Sequence, residues 1–261
     1  MIELIMVIVI MGVIGGAVAV FMKNPIDAYV SMGRRAGIAD VADTTVRRMA
    51  RDIRKALPNS IRLSSDLQCI EFIPTRTGGR YRVEDKVTGD DTSLRFDVAD
   101  LTFNMLGQNT ALPADQQIRA ADVVAVYNLG IPGSDAYAGS NTAVVSSVVD
   151  GVETQINMAG NTTVFPLASG GNRFHVIPGD EKIVSYRCSG GTLYRQANYA
   201  YSPSCPAPTA GTTPIVANEA TCSFAYSAAD IRNGLVQLSM TFGNSGETVS
   251  IYHEVHVNNT P

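Results

Sequence analysis

MIELIMVIVIMGVIGGAVAVFM, residues 1–22, carries no charged side chain from Leu4 to Met22. Those 19 residues approach the ~20 that a helix rising ~1.5 Å per residue needs to cross a ~30 Å hydrocarbon layer. The stretch predicts a membrane-spanning helix. Its one ionised side chain, Glu3, stands at the extreme N-terminus, and a carboxylate in or beside hydrocarbon is costly enough that it usually has a partner and a task. A cleaved secretory signal fits badly: no basic residue precedes the apolar run, an acid occupies position 3, and the run exceeds the usual ~7–15 residues. Gly12, Gly15 and Gly16 lie inside it, where small residues let neighbouring helices approach closely. The plainer reading is that glycine is simply frequent in spanning helices.

Lys23 and Asn24 mark the interface, and Pro25 can kink the helix without ending it. From Ile26 the pattern turns amphipathic. Ile38, Ala42, Val46, Met49, Ile53 and Leu57 follow one another at intervals of 4, 4, 3, 4 and 4, which is one stripe of an α-helix. Arg47, Arg48, Arg51, Arg54 and Lys55 surround the other sides, most simply as a solvated face, otherwise as contacts to acidic neighbours or lipid headgroups. Pro58 and Asn59 stop the helix. A single rod over residues 2–57 would be roughly 85 Å long, with half of it outside the membrane. Its apolar stripe needs the downstream chain as a partner.

Beyond Pro58 the period changes to two. Strand-like runs occur at 69–73, 81–87, 94–98, 123–127, 143–149, 183–188, 192–195, 235–242 and 248–257. Gly78-Gly79, Gly89-Asp90, Pro132-Gly133, Gly170-Gly171, Pro178-Gly179 and Gly190-Gly191 read as turns between them. Residues 114–121 read as a short helix. The expected fold is α+β: a long N-terminal helix, membrane half at 1–22 and amphipathic half at 23–58, packed on an antiparallel β domain at 59–261.

Roughly 200 residues after the span suffice for one core. Charge is uneven: residues 1–60 hold 8 Lys/Arg against 5 Asp/Glu, and the rest holds 12 against 19. An acidic body is a poor nucleic-acid binder, because phosphate neutralisation drives that affinity. Cys69, Cys188, Cys205 and Cys222 form no C-x-x-C pair, and an even, scattered set beside a membrane segment reads as two disulfides in an oxidising compartment. Three connectivities are open. A clasp on the loop at 202–219, with Pro203, Pro206, Pro208 and Pro214, gains ~3 kcal/mol and favours Cys205 with Cys222, leaving Cys69 with Cys188. The positive-inside rule opposes an exported body, since Lys23, Arg34 and Arg35 follow the span and nothing basic precedes it. Either the body is cytoplasmic or a basic segment precedes Met1, and the cysteines favour the second.

Chemistry is sparse. His253-Glu254-Val255-His256 falls in a strand, which places the two histidines on opposite faces, unable to share an ion. His175 has no nearby Cys or His to complete a zinc set. Asp85, Asp90 and Asp91 around Gly89 miss the EF-hand spacing. No G-x-S-x-G, P-loop, H-E-x-x-H or G-x-G-x-x-G occurs. The expectation is a non-enzymatic protein without metal or cofactor.

Met1-Ile2-Glu3-Leu4 and the apolar run after it resemble the N-terminus of type IV pilins and pseudopilins, whose precursors carry a short basic leader, a Gly, then Phe-Thr-Leu-Ile-Glu-Leu. Met1 overlays a leucine of that motif, as a TTG codon taken as a start would give. Arg51-Asp52-Ile53-Arg54, Ala56-Leu57-Pro58-Asn59-Ser60, Cys69-Ile70-Glu71-Phe72-Ile73-Pro74, Val184-Ser185-Tyr186-Arg187-Cys188, Thr192-Leu193-Tyr194-Arg195 and the ending 256–261 resemble the MshO-type minor pseudopilins of MSHA (mannose-sensitive haemagglutinin) pili. These are similar in turn to the J-type minor pseudopilins of type II secretion. The resemblance implies a pilin-like fold, leader removal by prepilin peptidase, and residence in the bacterial inner membrane with a periplasmic body. It further implies later incorporation in a pilus as an initiating, priming or capping subunit. Glu3 would then offset the positive N-terminus of a neighbouring subunit. A secretion pseudopilin is the nearest alternative, and a signal-anchored periplasmic enzyme or binding protein is the alternative of a different class.

Overall fold

The structure, a computed structural model, describes residues 1–159, 164–202, 205–209, 211–230 and 232–261. One helix, α1 (Ile2–Arg54), passes unbroken through Pro25. The predicted stripe is its buried face: Ile38, Ala42, Val46, Met49 and Ile53 are at most 4% exposed, and Thr45 and Ala50 join them. Burying an aliphatic side chain is worth ~1.5–3 kcal/mol, so these residues together contribute on the order of the net stability of a domain. The rear half of α1 is therefore part of the core.

The helix ends at Arg54, before the predicted stop at Pro58 and Asn59. Leu57 N–H donates to Ile73 O at 2.8 Å and Ala56 bridges Pro74, so the backbone here is claimed by the strand segment that follows. A residue preceding proline is in any case pushed out of the helical region. Leu57 stays in the core at 1% exposure.

Two antiparallel sheets enclose the stripe. The first has five strands in the order β1 (Arg62–Leu63), β2 (Cys69–Phe72), β9 (Val184–Ser189), β10 (Thr192–Ala197) and β11 (Ile215–Asn218). The second is a meander of β12 (Ala220–Asp230), β13 (Asn233–Asn244) and β14 (Glu247–Asn258). Phe72, Tyr186 and Leu193 from the first sheet and Phe224, Leu238 and Val255 from the second share one apolar cluster with α1. Gly190 and Gly191, at φ 57° and 75°, form the two-residue turn between β9 and β10 that the sequence signals. Both positions need φ > 0 in such a hairpin.

A third sheet of six strands runs β3 (Thr77–Arg80), β8 (Arg173–Ile177), β5 (Val123–Val126), β6 (Thr142–Val149), β7 (Thr154–Ala159) and β4 (Thr102–Met105). Its two ends meet: Leu106 N–H donates to Arg80 O at 2.8 Å, Arg82 N–H donates to Asn104 O at 2.9 Å, and Tyr81 bridges Met105. The sheet is thus a closed six-stranded barrel, filled by Phe103, Ile156, Phe174 and their neighbours. On the other face of the wall, Val123, Ala125 and Ile177 pack with Leu57 and Ile73, which joins the barrel to the helix end.

Glu153 fastens the barrel seam. It accepts from Arg82 Nε at 3.0 Å, from Asn104 Nδ2 at 3.1 Å and from Lys86 Nζ at 3.0 Å. Arg82 above all, then Asn104 and Lys86, bring its carboxyl down from 4.5 to about 2. A depressed carboxyl stabilises the fold above its unfolded value and loses that contribution as pH falls through its folded value. Glu153→Gln is expected to cost on the order of 2 kcal/mol at pH 7 after allowance for partial exposure. The difference from the parent should shrink steadily below pH 4 and vanish only below pH 2, read from urea unfolding across that window; a pH-independent difference would refute the assignment.

Several sequence expectations are corrected. Residues 81–87 and 94–98 are irregular: Tyr81 and Arg82 serve the barrel closure, while the N–H groups of Lys86, Val87 and Arg95 donate to the Thr92, Asp90 and Asp100 side chains. Gly78-Gly79 lies in β3 rather than in a turn: a Cβ at Gly78 would meet Phe174 O at 2.8 Å, and one at Gly79 the Phe174 ring at 2.9 Å. Residues 114–121 form turns, with Ala121 at φ 70°, a conformation that breaks a helix.

The disulfides are Cys69–Cys205 and Cys188–Cys222, not the pairing favoured above. Cys69 stands opposite Arg187 in the β2–β9 register, so Cys188, the next residue, points to the other face of that sheet. Cys188 faces the core and reaches Cys222 on the second sheet; Cys69 faces outward toward the loop. Pro203 of that loop lies outside the described residues.

Candidate functional site

The front of α1 stands clear of the body. Leu4 is 69% exposed and Phe21 81%, and apart from adjacent residues and the helix's own backbone no heavy atom comes within 4 Å of a Cβ built at Gly12, Gly15 or Gly16. Gly12 and Gly16 are four apart and share a helix face with Gly15, leaving a shallow strip where another helix can lie close. Glu3 occupies the first turn of α1 and has no ion-pair partner among the described residues. Residues 2–54 form the one helix, among those described, that is long and apolar enough to cross a membrane.

The junction between free and buried halves is narrow. Arg35 Nε donates to Glu247 Oε2 at 2.7 Å, which ties the emerging helix to the β13–β14 turn. Three residues later Ile38 enters the core. At the far end, Asp52 Oδ2 accepts from Tyr186 Oη at 2.6 Å and from Arg195 Nε at 3.0 Å. Arg195 also pairs with Glu181 at 2.8 Å. Burial, followed by the Asp52 charge, pushes the Tyr186 phenol up, so it remains a neutral donor. This network pins the helix end to β9 and β10; no spacing in the sequence links Asp52 with Arg195, 143 positions apart.

The body holds few groups poised for chemistry. Among the described residues no three or more His, Cys, Asp or Glu side chains are placed to hold a metal ion. His256 is exposed and His253 half-buried on the opposite face of β14. Burial, with Arg173 beside it, brings His175 down to about 4, so this ring is neutral through the physiological range. In the acidic turn, Asp85 Oδ1 accepts from Ser93 N–H at 3.0 Å, and Asp90 Oδ2 from Val87 N–H at 3.1 Å. Those carboxylates serve the loop backbone.

Compared with protein-family models, curated proteins and solved structures, the chain matches none. The architecture remains that of an α+β protein: a projecting apolar helix, a body of antiparallel sheets and two disulfides.

Proposed function

We propose that this chain is a minor pilin-like subunit. Its front helix holds it in the bacterial inner membrane with the body in the periplasm, and it then enters a filament by packing that helix against those of other subunits. The observation that carries the reading is the double use of α1: the apolar run at 2–22 is exposed, while the stripe from Ile38 to Ile53 on the same unbroken helix is core. A simple anchor needs no such continuity, because a flexible linker would tether the body equally well. A filament subunit does need it, since the body's position must follow the helix packed in the shaft. The two disulfides fit an oxidising compartment, and the Gly12–Gly16 strip fits close helix contact. By the resemblance of residues 1–4 and of the internal segments, the filament is an MSHA-type type IV pilus and the subunit one that initiates, primes or caps it, after processing by prepilin peptidase.

The test is to shear surface filaments from cells and probe them for this chain. A substoichiometric amount in the filament fraction, together with fewer filaments when the gene is deleted, is the expected result. Strict confinement to the membrane fraction with normal filament number would overturn the reading.

A further inference from the structure

Arg80 and Arg173 stand directly opposite each other in the β3–β8 pair. Their side chains leave the same face of the barrel wall, the outer one, because Phe174 between Arg173 and His175 fills the interior. Like charges directly opposite destabilise a sheet, yet neither arginine has a carboxylate partner among the described residues. Elsewhere in the body Arg62, Arg76, Arg82, Arg95, Arg187 and Arg195 are all ion-paired.

A third arginine without such a partner, Arg232, meets Arg173 across an open cleft of ≈ 620 Å³ that is also lined by Tyr127, Leu129 and Ile131. That size suits a small organic molecule. Tyr127 holds φ 50° and Asn59, on the same cleft, φ 59°. A bulky aromatic rarely adopts the left-handed region, and such residues gather at ligand sites. Two arginines without an ion-pair partner among the described residues, apolar lining and left-handed backbone thus coincide at one place, which Asn259, Thr260 and Pro261 also line. It lies beyond the end of α1, on the order of 50 Å along the helix from the apolar segment.

We propose that this cleft binds a small amphipathic carboxylate, with its apolar part against Tyr127, Leu129 and Ile131 and its carboxylate between Arg173 and Arg232. Arg80 adds to the attracting field. An inorganic anion would leave the apolar lining wet, and a neutral apolar molecule would leave the cations unpaired. The inference is independent of the filament reading.

The experiment titrates 4-phenylbutyrate into the full chain in detergent micelles by calorimetry, with empty micelles subtracted and 4-phenylbutanol and inorganic phosphate as comparisons. Saturable binding of the carboxylate is expected, at least tenfold tighter than either comparison, and Arg173→Gln and Arg232→Gln should each weaken it about tenfold, as loss of a charge-assisted bond does. Arg173→Gln relieves like-charge repulsion, so its melting temperature should hold or rise, which separates lost binding from lost fold. Ile131→Glu, at a position 51% exposed, should weaken binding without touching either arginine. Absence of saturable binding up to about 10 mM, equal binding of the alcohol, or full affinity in the arginine variants would overturn the proposal.

Discussion

Replacing Glu3 with alanine is expected to leave the chain in the membrane and to cut its recovery in sheared filaments by tenfold or more. Insertion depends on the apolar run, which the change lengthens, so the membrane-fraction level should hold. On the proposed filament reading, assembly depends on what Glu3 meets in a neighbouring subunit. Between packed apolar helices a carboxylate and an ammonium attract strongly, and removing one partner strands the other at a cost of ~3–5 kcal/mol, ample for a hundredfold loss. Glu3→Gln should rescue little, since the amide keeps the shape without the charge. Immunoblots of sheared and membrane fractions check this; equal incorporation of wild type and Glu3→Ala would leave the carboxylate without a role in assembly.

The joint change Cys188→Ser with Cys222→Ser should lower stability by about 4 kcal/mol, the loop-closure value for a separation of 34 residues. For a body of this size that is a fall in melting temperature of about 10 °C. The bond joins the two sheets that enclose the α1 stripe, so its loss frees them to part around the helix. Peptide mapping without reduction should recover Cys69 with Cys205 and Cys188 with Cys222. A fragment linking Cys69 to Cys188, or an unshifted melting curve, would contradict the arrangement.

The long helix was legible because both signals are strong and local. An uncharged run fills one half, and Ile38, Ala42, Val46, Met49 and Ile53 set a clean period in the other. The β9–β10 hairpin was legible from two glycines. The barrel was not, because its closing contacts join Arg80 to Leu106 and Arg82 to Asn104, more than twenty residues apart, and although 81–87 reads as a strand, nothing around 102–106 signals the partner. β12 escaped because Ala220, Cys222 and Phe224 alternate with Thr221, Ser223 and Ala225, a contrast in polarity too small to register. The disulfide pairing turned on which face of a sheet each cysteine takes, and that parity depends on a register set by partners more than a hundred residues away. The arginine cleft likewise brings together Arg173, at the start of β8, and Arg232, in the turn before β13, and no spacing rule links them.

Closure of the six-stranded barrel also removes two strand edges from the surface. Molecules tethered side by side on one membrane reach high local concentrations, under which unpaired strand edges recruit one another into cross-β stacks. Where Arg80 and Arg82 meet Asn104 and Leu106, the barrel presents no such edge. The barrel thus offers no template for strand stacking, and the edges that a neighbouring strand could pair with belong to the other two sheets, which end in β1, β11, β12 and β14.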